Sequence, residues 1–209
     1  MQTASRTTTE KTTKQLIEEG LSKGIAYDGY RKRVAQLADE GKSTGPEQTE
    51  ALSNYTVLND RRMKRFDKTL KIDSETVSRI EAMSDPVTML VLTESWCGDA
   101  APTIPVMNKI AQLNANIELK IILRDENLAL MDRFLTEGAM SIPKLIFLDA
   151  QNEPFATWGP RPEPAAKLVR DHKQKHGRLL PEIREEIQLW YNKDKGQTTV
   201  RELVDLLPM

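Results

Sequence analysis

Cysteine is nearly absent: the 209 residues contain one, Cys97. No disulfide can form within the chain, and a disulfide-built secreted scaffold is excluded. Histidine is almost as scarce, with two residues. His172 and His176 stand at i and i+4, but Lys173 and Lys175 surround them and no acidic or thiol partner lies at ligand spacing. A solvated helix face is expected there, and no metal. Positive charge is not in excess either, since 30 Lys and Arg stand against 31 Asp and Glu. Nucleic acid and anionic membrane are therefore not expected partners. The densest basic run, Arg61-Arg62-Met63-Lys64-Arg65, is flanked by Asp60 and Asp67 and reads as a solvated helix face. No apolar run approaches the ~18 residues of a membrane span, and the first ten residues lack the apolar core of a signal peptide. A cytoplasmic location is expected. Gly-rich phosphate loops, a dinucleotide fingerprint and a Ser-His-Asp signature are missing as well.

What is present is ordered in two parts. Residues 1 to 13 are polar and Thr-rich and are expected to fray. From Thr13 to Glu40, apolar residues recur at helical spacing, with Gly20, Gly24 and Gly29 dividing the stretch into two helices. A further helix is expected from Glu47 to Lys68, with Leu52, Tyr55, Leu58, Met63 and Phe66 on its apolar side. Another runs from Asp73 to Met83, capped by Asp73 or Ser74. Residues 1–84 thus read as a helical N-terminal extension without evident chemistry.

The pattern then changes. Strands are expected at Val87–Leu92, Ile117–Leu123, Lys144–Leu148 and Pro154–Trp158, the last two joined by a hairpin turn. Helices are expected at 100–114, from a cap at Arg124–Asn127 to Leu135, and at 163–176. The order β-α-β-α-β-β-α makes an α/β layer with a parallel part and an antiparallel edge over residues 85–176. Residues 177–209 form a tail, with a helix at 181–191, a turn at 192–196 and one or two helical turns at 201–207. Trp190-Tyr191 is expected to anchor that tail on the domain.

Cys97 lies in Trp96-Cys97-Gly98-Asp99-Ala100, between a strand and a helix. Helix N-terminal amides favour negative charge, so this is a place for a reactive thiolate. The turn is similar to the W-C-G-x-C turn of the thioredoxin superfamily with Ala100 in place of the second cysteine. Pro105, eight residues after Cys97, falls where that family kinks its first active-site helix. Ile142-Pro143 before a strand resembles the family's cis-proline, which faces the nucleophile. The element order over residues 85–175 is also the family's. The resemblance implies a thioredoxin-like mixed sheet flanked by helices, with Cys97 as nucleophile. Trp96, Gly98, Ile142 and Pro143 would then shape a substrate groove. Val91 stands where the family has a buried carboxylate, and Lys144 where it usually has threonine.

Without a second thiol, a mixed disulfide on Cys97 would be resolved by a low-molecular-weight thiol or a partner protein, and no bound cofactor is expected. The loop Gly159-Pro160-Arg161-Pro162 would lie beside Cys97, and Arg161 could face the thiolate or a substrate carboxylate, or else solvent. Glu94 and Asp99 both oppose ionisation of the thiol. Asp99 is expected as a cap or early-turn acid of its helix, and Asp125 as the cap of the next. Two function classes follow. One is a single-cysteine thiol oxidoreductase or thiol-transfer protein acting on protein or small-molecule thiols and disulfides. The other is a non-enzymatic peptide- or protein-binding module in which Cys97 is a small buried residue. A homodimer through a Cys97–Cys97 disulfide is a further expectation.

Overall fold

The computed structural model describes residues 10–208; the expected fraying of the chain's first residues falls, up to residue 9, outside that range. The chain opens with α1 (Thr13–Lys23), started by a capping box in which Thr12 and Gln15 exchange side-chain and backbone bonds. It continues with α2 (Tyr27–Asp39), α3 (Glu50–Thr69) and α4 (Ser74–Glu81). The Asp73 side chain caps α4 by accepting the Thr76 amide at 2.9 Å. Of the three glycines expected to divide the first stretch, only Gly24 does so. Gly20 lies inside α1, where an added Cβ would come within 3.2 Å of Ile122 and Leu130, so its smallness seats α1 tightly on the sheet.

Then come β1 (Val87–Thr93), α5 (Ala100–Ala111), β2 (Ile117–Leu123), α6 (Leu128–Met131), β3 (Lys144–Leu148), β4 (Pro154–Trp158) and α7 (Glu163–His176). The sheet order is β2-β1-β3-β4; β1 and β2 are parallel, and the other pairings are antiparallel. β1 and β3 are apolar almost throughout because both faces of the sheet are covered. This is the expected α/β layer with helices on its flanks.

Three expected helices differ. α6 is one turn rather than a helix to Leu135: past Asp132 the backbone bonds tighten to i→i−3, from Arg133 N to Leu130 O and from Phe134 N to Met131 O, and the chain turns away through the Thr136–Ala139 pair, while Asn127 and not Asp125 holds the cap position. The Asp125 amide donates to Glu94 Oε1 at 2.9 Å and its carboxylate takes Arg124 at 2.7 Å. The tail is more helical than expected: α8 (Glu182–Asp194) runs through Asn192 and Lys193, and α9 (Gln197–Val204) starts at once after Gly196, whose φ is +84°.

One apolar core joins all of this. It runs from Ile17 and Val34 in the N-terminal helices through Leu90, Leu92 and Phe147 in the sheet to Val200 and Leu203 in α9. Each such side chain contributes about 1.5–3 kcal/mol by leaving water, so the N-terminal helices share the main source of stability with the sheet. The amides of Ile25 and Ile121 exchange hydrogen bonds at 3.0 and 2.9 Å, tying the α1–α2 junction to the sheet edge. α8 packs on α7 through a small separate cluster of Ile183, Ile187 and Tyr191. Among the described residues, no helix is long and apolar enough to cross a membrane.

Candidate functional site

The turn between β1 and α5 places Cys97. Its amide donates to Glu94 O at 3.1 Å, and its Sγ donates to Ile142 O at 3.2 Å. The Ile142–Pro143 and Gly159–Pro160 peptide bonds are both cis. Gly159 has φ +113°, and a Cβ there would sit 2.2 Å from Pro143 O. Only glycine lets the 159–162 loop come this close to the segment that contacts the thiol.

Cys97 is 6% exposed. Burial, reinforced by Asp99, pushes its thiol up to about 12, and the Ala100 and Asp99 amides and Arg161 do not offset this. The expected lowering by the helix N-terminus therefore does not win, because desolvation penalises the thiolate more than the amides stabilise it.

Asp99 occupies the cap position of α5, but its side chain makes no cap bond. Its Oδ2 pairs with Arg161 Nη2 at 2.7 Å, and its Oδ1 accepts the Tyr191 hydroxyl at 3.1 Å. Burial still pushes the carboxyl above its usual range, against the pull of Arg161 and Tyr191. Arg161 thus lies on the side of the thiol with its side chain partly exposed, and its partner is Asp99. Its Nε is buried without a hydrogen-bond partner. Tyr191, expected only as an anchor, is buried against this carboxylate, and burial raises its own pKa.

Behind the turn lies a second polar set supplied by the N-terminal helices. Ser95 N donates to Thr44 Oγ1 at 2.8 Å, and Thr44 N donates to Ser95 Oγ at 2.9 Å. Thr56 Oγ1 bonds Ser95 Oγ at 2.8 Å, and Asn59 Nδ2 donates to Ser95 O at 2.9 Å. Glu94 is fully buried; its Oε1 takes the Asp125 amide, while its Oε2 has no hydrogen-bond partner. Burial pushes its carboxyl up. Tyr30 of α2 is buried near the same turn, and its hydroxyl pKa is raised by burial first and by Cys97 second.

In front of the turn, α3 and α8 stand as two walls of a pocket of about 390 Å³. Cys97, Gly98 and Asp99 lie at its floor, with Trp96, Ile142 and Arg161 beside them. Arg62 and Tyr55 come from α3, and Arg184 and Gln188 from α8. Gln188 Nε2 donates to Gly98 O at 3.2 Å, and Arg184 Nη1 donates to Tyr55 Oη at 2.8 Å. The Trp96 ring is covered on one side by Arg124, 5.1 Å from its centroid. Residues 1–84, expected to be without evident chemistry, thus supply Leu52, Tyr55 and Arg62 to the wall of this pocket. The reading of Arg61–Arg65 as a solvated face fails for Arg62, which is half-buried in the pocket.

A signal for these residues existed. Leu52, Tyr55, Asn59 and Arg62 follow one another at three- and four-residue steps, so the apolar stripe of α3 continues into polar groups on the same face. Arg184, Ile187 and Tyr191 do likewise on α8. The histidines stay outside the site. Their rings lie 4.5 Å apart and His172 Nε2 accepts the Leu180 amide at 3.2 Å. Among the described residues, no group of His, Cys, Asp or Glu is arranged to hold a metal.

Comparison with known proteins fits this geometry. No curated protein matches the sequence. Among solved structures, a Pseudomonas aeruginosa protein of unknown function superposes with a TM-score of 0.55 at 18% identity, covering 87% of this chain and 96% of the other. An HIV epitope scaffold superposes with a TM-score of 0.52 at 18% identity, covering 87% of this chain and 97% of the other. These likenesses include the helices outside the sheet and concern the fold alone. A family model described as thioredoxin matches residues 45–175, starting ahead of the expected residue 85 and taking in α3 and α4. With most of its length matched by that model, and with the mixed sheet in place, the chain belongs to the thioredoxin family.

Proposed function

We propose that this thioredoxin-family chain is a ligand-binding protein in which Cys97 rests as a neutral thiol on the floor of the pocket between α3 and α8. The observation that carries this reading is the combination of a 390 Å³ pocket with a buried thiol pushed up to about 12. The volume falls in the range of small-molecule sites. The same burial works against a direct Cys97–Cys97 disulfide between two copies, which would require the pocket to open.

A second reading has one specific observation in its favour. Cys97 Sγ lies 3.2 Å from Ile142 O at the pocket floor, where a disulfide bound along the 142–143 segment would meet it. In that case Cys97 performs single-cysteine thiol exchange: the thiolate attacks one sulfur of the bound disulfide, the other leaves as a thiolate that takes a proton from water, and an external thiolate attacks the mixed disulfide and releases Cys97.

Reaction with an aromatic disulfide reagent at pH 7.5 separates the two, and the single cysteine makes the signal unambiguous. A thiol at about 12 rather than the ordinary 9 loses about a thousandfold in thiolate, and its greater basicity returns about thirtyfold. Folded protein should therefore react on the order of 30-fold slower than the same chain in guanidinium chloride. Faster reaction in the folded state, with release by added thiol, would establish the exchange reading instead.

A further inference from the structure

The pocket in front of Cys97 is lined by three arginines, Arg62, Arg161 and Arg184, and by one carboxylate, Asp99. That carboxylate is fully engaged by Arg161 and Tyr191. Among the described residues, neither Arg62 nor Arg184 pairs with a carboxylate. Arg62 Nη1 reaches only Asn59 Oδ1, at 3.1 Å, and Arg184 Nη1 only the Tyr55 hydroxyl. Burial first and the nearby Arg65 second work against the charge on Arg62, and Tyr55 and the nearby Asp99 do not offset them. The buried Nε of Arg161 is a donor without an acceptor. Such a concentration is local, because the whole chain carries a net charge of −1. Arg62 is half-buried with no carboxylate paired to it, which is costly unless something supplies an anion, and Arg184 stands at the exposed rim of the same pocket. Leu52, Ile142, Ile187 and Trp96 give the wall an apolar and aromatic part, and Gln188 adds a side-chain amide already engaged by Gly98 O.

We propose that this pocket is an anion site that takes a small organic molecule carrying an oxyanion group, a carboxylate or a phosphate, on an apolar body. The oxyanion pairs with Arg62 and Arg184, whose planar donor forks suit it. The apolar body lies against Trp96 and Ile187, above the Cys97 thiol. This deepens the ligand-binding reading and rests on it. It also gives the two outer walls a purpose: α3 and α8 each bring one arginine, so the site is complete only with both.

The test uses the full-length protein labelled with ¹⁵N and three probes: phenylacetate, phenyl phosphate and the neutral phenylacetamide. Amide shifts of Gly98 and Trp96 report binding at this pocket. At least one of the two anions should bind saturably, about tenfold tighter than phenylacetamide. Arg62→Gln should weaken the anion about tenfold, and Arg184→Gln, at the exposed rim, about threefold. Lys68→Gln, an exposed change on the same helix, should leave affinity unaltered. Binding of phenylacetate alone assigns a carboxylate ligand, and binding of phenyl phosphate alone assigns a phosphate. The inference is overturned if phenylacetamide binds as well as the anions, or if no probe shifts these amides. It is overturned too if a folded Arg184→Gln and a folded Arg62→Gln both bind like the wild type. Equal binding of the neutral probe would leave the ligand-binding reading intact, and the state of Cys97 is decided separately by its disulfide reactivity.

Discussion

The two sides of the Cys97 turn handle polar groups in opposite ways. Behind it, the amide, hydroxyl and carbonyl of Ser95 are each matched by Thr44, Thr56 or Asn59. In front of it, Arg161 keeps a buried donor without an acceptor, and Arg62 and Arg184 face a pocket without a carboxylate of their own. A satisfied network fixes a shape, whereas unsatisfied charge around a cavity is stable only if something from outside completes it. The difference separates the part that builds the turn from the part that meets a ligand.

Substitutions can break this contrast, starting with the largest effect. Gly159→Ala places a methyl where only 2.2 Å is free beside Pro143 O, in a backbone region closed to other residues. Chemical denaturation should show a loss of more than about 3 kcal/mol, with the front of the site disordered. Arg161→Gln leaves the buried Asp99 carboxylate with Tyr191 alone. Because Arg161 is partly exposed, a loss of about 2 kcal/mol is expected rather than the 3–5 of a fully buried pair. Asn59→Ala leaves the Ser95 carbonyl without its donor, which should cost about 1–2 kcal/mol in a urea titration without altering probe affinity.

Glu94 sharpens the contrast because it is the exception on the satisfied side. Its Oε2 is buried without a partner and burial raises its pKa. A raised carboxyl binds its proton more tightly in the folded state. Folding is therefore penalised once pH rises above the ordinary glutamate value of about 4.3. Glu94→Gln keeps the acceptor for the Asp125 amide and removes the charge. It should gain about 1 kcal/mol at pH 7, and the gain should shrink as pH falls towards 4, read from melting temperatures across that range.

The sheet was legible because its strands are short, apolar and bounded by turn residues; β2 and β3 begin and end at the expected positions. Cys97, Gly98, Asp99, Ile142 and Arg161 were also legible as neighbours, and the structure brings them together around one pocket. What could not be read was the sign of the pKa change at Cys97. The local sequence shows the helix amides, but the desolvation that outweighs them comes from distant segments folding over the turn. Arg62 and Tyr191 were missed for a related reason. Each sits in a helix whose packing partner lies far away in sequence, and each has an ordinary role in its own neighbourhood. α6 was overestimated because the apolar residues up to Leu135 fit a helix by spacing, whereas the chain tightens into i→i−3 turns after Asp132 and pairs Thr136 with Ala139.

The pH dependence of Cys97 alkylation in the folded protein tests the central claim, a neutral thiol on the pocket floor, most directly. With the thiol pushed up to about 12, the iodoacetamide rate should rise about tenfold per pH unit from pH 7 to 10 without levelling off. A rate that levels off with an inflection at or below about 9, the ordinary value, would contradict it and place a reactive thiolate at Cys97.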